Sequence, residues 1–182
     1  MGLEEKTLAL LERLSRAERA LLTKRAYALG LSATQGQILL ELQGRALSAG
    51  ELAQALGLTP PTVTDALSAL KGKGLLLEEP DPLDRRRKRL ALTPKGEEKA
   101  KALLVHRRPL EGALREVAHL EGLWEGLAHL ARGLIAQGVM ADTGLCLTCR
   151  HLRREEGYFC ALLGLPLAPG ELRLACPDHL PL

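Results

Sequence analysis

Asparagine is absent from the 182 residues, and the aromatic residues amount to one Trp, two Tyr and one Phe. A core must therefore be assembled from Leu and Ala, and such a chain, poor in β-branched residues, leans to helix. The missing Asn fits heat adaptation, which discards thermolabile amides, or a GC-rich genome. Composition leaves both open. The opening MGLEEKTLALLERL has no basic stretch followed by an apolar core and a small-residue cleavage site, so no secretory signal is expected. Gly, Arg, Glu or Lys interrupts every apolar run before it could cross a bilayer. The expected setting is cytoplasmic, with no membrane partner. Cysteine is missing from the first 145 residues, and all four cysteines fall between 146 and 176. In a reducing compartment such a group reads as metal ligands rather than disulfides.

Against these absences stands a local concentration of charge. The net charge is only +3, yet Arg85, Arg86, Arg87, Lys88 and Arg89 are consecutive. Apolar residues recur at helical spacing from Leu3 to Leu29, which predicts an amphipathic helix with a break near Ser15 and a stop at Gly30. Thr34 is the expected cap of a second helix that buries Ile38, Leu39 and Leu42. Ser48-Ala-Gly-Glu51 has the spacing of a capping box, in which the Ser oxygen and the Glu carboxylate each take a free N–H. The helix that follows buries Leu52, Ala53 and Leu56 and ends at Gly57. Thr59-Pro60-Pro61 then opens a helix burying Val63, Leu67 and Leu70, with proline where its missing N–H costs nothing.

Two short helices joined by a Gly-containing turn are a helix-turn-helix pattern. Leu75 to Leu77 reads as a strand, Pro80-Asp81-Pro82-Leu83-Asp84 as a turn, and Arg89 to Thr93 as the returning strand. The expected fold is mainly α with a small β-wing, a winged helix-turn-helix. Thr93-Pro94 caps a helical stretch over 95–119 and a further one runs over 120–139, with His106, His119 and His129 on them as surface or interface residues. The expected division is 1–140, with a DNA-binding core at 34–96, and a four-cysteine module at 141–182.

The run LSAGELAQALGLTPPTVTDALSALKGKGLLLEEPDPLDRRRKRLALTPKG resembles the MarR family (multiple antibiotic resistance regulators). That family's Asp-x-x-Asp-Arg-Arg wing, then an apolar strand with Leu-Thr and a Gly, appears as Asp81, Asp84, Arg85, Arg86, Leu92, Thr93 and Gly96. The resemblance implies a homodimer with interlocking terminal helices that represses genes from pseudo-palindromic operators on double-stranded DNA. One position departs from it: Asp65 stands where relatives often carry Arg after the Thr of the recognition helix.

The helix from Thr59 to Gly72 would be roughly 20 Å long at 1.5 Å per residue, and a major groove admits one helix. With Val63, Leu67 and Leu70 inward, its outer face offers Pro61, Thr62, Thr64, Asp65 and Ser68. Arg86 at a hairpin tip can enter a narrow minor groove, where the negative potential is strongest. Asp84 is expected to brace the loop by accepting from a neighbouring Arg or backbone N–H. Arg85, Arg87, Lys88 and Arg89 would meet phosphates, with Lys71 and Lys73 at the end of the recognition helix.

The cysteines read Cys146-x2-Cys149, ten residues, Cys160, fifteen residues, Cys176. A Cys-x2-Cys turn presents two thiolates to one metal, and two further cysteines complete four ligands. Zinc is the first expectation, because a tetrahedral site can fold a segment too small for its own core. The absence of a second Cys-x2-Cys keeps an iron–sulfur cluster as the alternative. His151 or His179 could replace one thiolate. Two other classes compete with a DNA-binding regulator. Cys146-Leu-Thr-Cys149 as a dithiol enzyme lacks the βαβ context that chemistry needs, and a winged-helix adaptor would have no use for a cationic wing. The expectation is therefore a non-enzymatic regulator responding to redox state, metal or a small-molecule effector.

Overall fold

The computed structural model describes residues 2–81, 84, 86–154 and 157–182. Arg85 of the wing, and Pro82 and Leu83 of the turn before it, lie outside the described residues. The chain divides into two compact units, Met1–Glu116 and Val117–Leu182. No helix among the described residues is long and apolar enough to cross a membrane.

In the first unit, α1 (Leu3–Ala28) runs through Ser15 without interruption. A lone mid-helix Ser costs only tenths of a kcal/mol, and neither Gly nor Pro occurs within the helix. It ends at Gly30, which takes φ +73° while the Leu31 N–H returns to the Ala26 carbonyl at 2.9 Å. Helix α2 (Ala33–Glu41) is capped by Ser32 and not by Thr34. The Ser32 hydroxyl accepts the Gln35 N–H and the Gln35 side chain accepts the Ser32 N–H, both at 3.2 Å. Ser-x-x-Gln is itself a capping-box spacing, which outweighs a Thr two residues further in. Helix α3 (Ala49–Leu56) has the expected Ser48–Glu51 box, and Gly57 ends it in the left-handed conformation.

Helix α4 (Pro60–Gly72) then leads into β1 (Leu76–Pro80) and β2 (Lys88–Leu92), an antiparallel pair that places Leu76 opposite Leu92 and Pro80 opposite Lys88. Leu47 bridges to Leu90 and so attaches the segment before α3 to the pair. The core gathers Leu22 and Ala26 of α1, Ile38 and Leu39 of α2, Leu52 of α3, Val63, Leu67 and Leu70 of α4, Leu75, Leu90, and Ala100 and Leu103 of the next helix. That helix, α5 (Pro94–Leu103), starts where the Thr93 hydroxyl accepts the Gly96 N–H. A Cβ on Gly96 would lie 2.2 Å from the Leu75 carbonyl oxygen, so only glycine lets α5 approach β1 this closely.

The stretch 95–119 is not one helix. It changes to a 3-10 turn at Leu104–Arg107 before α6 (Arg108–Arg115). Pro109 explains the change, because its ring would meet the carbonyl four residues back in a continuous helix. The same turn buries His106, contrary to the surface placement expected for it. Its Nδ1 lies 2.7 Å from the Leu103 carbonyl and its Nε2 3.1 Å from Glu18 Oε1 on α1.

The second unit contains α7 (Leu120–Ala136), a 3-10 turn at Cys146–Thr148, and an antiparallel sheet of β3 (Leu152–Arg153), β4 (Tyr158–Cys160) and β5 (Leu165–Leu167), in that order. The expected boundary at 140 differs from this division by the whole of α7. Trp124, Ala128, Ala131 and Ile135, at helical spacing, pack with Leu145, Leu147 and Leu172, so α7 forms part of the cysteine-bearing unit. Trp124 meets Tyr158 edge-on, ring centroids 6.3 Å apart.

Candidate nucleic-acid interface

Helix α4 owes its orientation to four buried residues, Val63, Ala66, Leu67 and Leu70. Fixing that face inward turns Pro61, Thr62, Thr64, Asp65 and Ser68 to solvent, with Thr59 exposed at the N-cap. Thr59 and Thr62 share a hydrogen bond between hydroxyls at 2.8 Å, and Thr64 returns its hydroxyl to the Pro60 carbonyl at 2.9 Å. Asp65 is exposed and makes no hydrogen bond or ion pair among the described residues. It braces nothing among the described residues, which leaves its carboxylate to meet whatever the helix meets.

The wing is built around two aspartates. Asp81 Oδ1 accepts the Asp84 N–H at 3.2 Å, and Asp84 Oδ1 accepts the Arg86 N–H at 3.0 Å. Two backbone bonds close the tip, Arg87 N–H to the Asp84 carbonyl at 2.8 Å and Asp81 N–H to the Arg87 carbonyl at 3.0 Å. Arg87 and Arg89 turn back onto carboxylates, Arg87 Nε at 3.6 Å from Asp84 and Arg89 Nε at 3.6 Å from Asp81. Arg86 is left with its backbone held and its exposed guanidinium without a partner among the described residues. Asp81 and Asp84 thus hold the backbone of the described wing residues and leave the Arg86 side chain out of those contacts.

A carboxylate that sequence reasoning passed over sits between helix and wing. Glu78 of β1 pairs with Lys71 of α4 through one oxygen and, at 2.9 Å, with Lys88 of β2 through the other. The Lys71 and Lys88 ammonium groups hold its carboxyl down at about 2. The strand register is the signal that would have found it, since it places Glu78 opposite Leu90, two residues from Lys88. A cavity of about 300 Å³ opens here, lined by Thr64, Ser68, Lys71, Glu78, Lys88 and Leu90.

The MarR family model matches residues 29–87. The first unit is thus similar to MarR-family transcription regulators in sequence and in fold. A solved MarR-family regulator of Silicibacter pomeroyi is 29% identical over 74% of this chain and 92% of its own, with a TM-score of 0.64. BldR of Sulfolobus solfataricus is 27% identical over 75% and 99%, with a TM-score of 0.58. MepR of S. aureus, solved as a complex with DNA, is 25% identical over 70% and 96%, with a TM-score of 0.55. No curated protein sequence matches the chain significantly.

Within this unit Lys73 does not project beside Lys71. Its ammonium donates to the Gly30 carbonyl at 2.7 Å and to Gln35 Oε1 at 2.8 Å. Lys99 donates to the Leu29 carbonyl at 3.0 Å and Lys95 to the Lys73 carbonyl at 3.1 Å. Three lysines therefore satisfy the carbonyls left open at the ends of α1 and α4, where cations are favoured.

The expected metal ligands lie in the second unit. All four cysteines are free thiols, with Cys149 buried and the others half-buried. The Cys149 N–H returns to the Cys146 carbonyl at 3.0 Å, which closes the Cys-x2-Cys turn. Cys160 stands opposite Leu152 in the sheet, and the Cys176 N–H donates to the Gly144 carbonyl at 2.9 Å. Among the described residues no three His, Cys, Asp or Glu side chains converge into a ready-made ion site. His179 is directed elsewhere, its Nε2 3.1 Å from Thr148 Oγ1 and 3.5 Å from Asp142 Oδ2. Burial opposes charge on Asp142. The Thr148 hydroxyl, the Gly144 and Leu145 amides and His179 outweigh it and hold that carboxyl below its usual range.

Proposed function

We propose that the chain is a homodimeric repressor that binds double-stranded DNA at a pseudo-palindromic operator. The observation that carries this reading is the wing in which Asp84 and Asp81 engage the backbone and Arg87 and Arg89, leaving the Arg86 guanidinium without a partner among the described residues. An arginine whose backbone N–H is held by Asp84 and whose guanidinium has no partner among the described residues can reach a narrow minor groove. Thr62, Asp65 and Ser68 are placed to meet base edges, and Lys71 and Lys88 to exchange Glu78 for phosphates. Arg85, whose placement is outside the described residues, belongs to the same cationic run.

Dimerisation is supported by apolar surface that has no other use. Leu120, Leu123, Leu127 and Leu130 of α7 are all exposed, and their 3-4-3 spacing is a coiled-coil seam. Leu3, Leu10 and Leu14 make α1 similarly apolar on its surface. A second copy of the chain is the occupant that two-fold DNA sites imply, with recognition helices about 34 Å apart. An effector would act by changing that spacing, and the cavity between α4 and the wing is a place for one to bind.

The test is selection of sites from random duplex DNA, followed by anisotropy titrations over a range of salt. Enrichment of an inverted repeat bound at two chains per site supports the proposal, with affinity falling steeply as salt rises. A monomer by light scattering, or equal affinity for all duplexes at matched salt, overturns it.

A further inference from the structure

We propose that Cys146, Cys149, Cys160 and Cys176 hold one zinc ion as a tetrahedral four-thiolate centre, and that this ion is what folds the second unit. The backbone already brings the three cysteine-bearing segments together. The 3-10 turn places Cys146 and Cys149 on one loop. Cys176 is attached to that loop by its N–H bond to Gly144 and, three residues earlier, by an Arg173 N–H that donates to Cys146 Sγ at 3.2 Å. Gly144 has φ +100°, and a Cβ there would lie 2.8 Å from the Cys176 carbonyl oxygen, so the close approach depends on glycine. Cys160 arrives through the sheet. Leu152, its partner across the strands, donates its N–H to the Cys149 carbonyl at 3.1 Å, and the Ala161 N–H reaches the His151 carbonyl at 2.8 Å.

The sulfur chemistry agrees with this layout. A backbone N–H aimed at a cysteine sulfur favours the thiolate over the thiol. Four thiolates gathered in one place repel one another. A divalent ion removes the conflict. Four thiols release four protons, and Zn²⁺ with four thiolates leaves a centre of net charge −2. Arg154, whose Nη2 donates to the Leu147 carbonyl at 2.8 Å, stands against the turn as a balancing cation. Rotation of the cysteine side chains between staggered wells is the movement that closes the site around the ion.

Zinc suits the site better than a cluster. The Cys146 turn and the Cys176 segment are hydrogen-bonded to each other directly, so the ligands gather about one ion with metal–sulfur bonds of about 2.3 Å. An iron–sulfur cluster would interpose several irons and sulfides between them. His179 is not needed as a ligand, being engaged by Thr148 and Asp142.

The experiment uses the full chain purified under reducing, oxygen-free conditions without affinity metals. The expected result is one zinc per chain and no visible absorption, with four cysteines that alkylate only after a chelator is added. Replacing zinc with Co²⁺ should give the charge-transfer and ligand-field bands of a tetrahedral thiolate site. Cys176→Ser and Cys160→Ser should each weaken zinc retention at least tenfold against a competing chelator. Because such variants can fail to fold, alkylation of the unaltered protein stands as the independent readout. Metal-free protein whose four thiols react at once while the Trp124 signal remains native would overturn the proposal. So would iron with acid-labile sulfide, or disulfides in the native protein.

Discussion

The two units bury very different amounts of apolar surface. In the first unit seventeen buried apolar residues among those described form one cluster, drawn from five helices and both strands. Among the described residues of the cysteine-bearing unit the corresponding cluster has four, Ala128, Leu145, Leu147 and Leu172, with half-buried side chains such as Trp124 and Tyr158 around them. A small chain segment cannot offset its conformational entropy with so little burial. The first unit is held by Leu and Ala packing, and the second needs a cross-link of another kind.

The largest expected effect comes from removing that cross-link. Chelation at neutral pH should unfold the second unit, since structural zinc contributes on the order of 10 kcal/mol to domains of this kind. Fluorescence of Trp124, the chain's single tryptophan, should report the loss, while helical circular dichroism from the first unit persists. Loss of both signals together would erase the distinction between the units. Next in size is Leu39→Ala in the first core, where Leu39 is fully buried. It should cost about 2–5 kcal/mol of that unit's stability, and the Trp124 transition of the zinc-loaded protein should stay where it was.

Arg86→Ala sharpens the comparison from the functional side. It should weaken operator binding by about 1–3 kcal/mol at matched salt, with zinc content and both unfolding transitions unchanged. Glu78→Gln should have the smallest effect and the opposite sign: Lys71 and Lys88 lose their internal partner, so affinity for any duplex rises modestly. Because the Glu78 carboxyl is held at about 2, its depressed pKa keeps it ionised well below neutrality. The gain should therefore be the same from about pH 5 to 8, and anisotropy titrations at both ends of that range check it.

The sequence was most legible where one residue type answers one local need. The Ser48–Glu51 box, the Gly30 and Gly57 stops, the prolines opening α4 and the alternating β2 strand each satisfy backbone groups within a few residues. It was least legible where the partner is distant in the chain. Nothing around Lys73 announces Gly30, forty-three residues earlier, and the burial of His106 depends on Glu18, eighty-eight residues away. Helix α7 was recognisable as a helix, but its apolar stripe does not state what covers it. The free Arg86 became visible only once Asp81 and Asp84 could be seen engaging the loop around it. The cysteine spacing suggested a common centre, and the glycine that lets Cys176 close on the turn emerged only from the backbone.

Helix α7 carries two apolar stripes side by side. Trp124, Ala128, Ala131 and Ile135 are covered by their own unit, while Leu120, Leu123, Leu127 and Leu130 are exposed. At about 100° per residue the stripes are centred roughly 90° apart, so the helix has a rotational phase that both must share. Inserting one residue after Leu123 would swing everything beyond it by about 100°, bringing leucines toward the place of Ala128 and turning the small residues away. Inserting four would nearly restore the phase, at about 400°. Evolution of this helix is therefore quantised: it can lengthen by whole turns, and single insertions would scramble two surfaces at once.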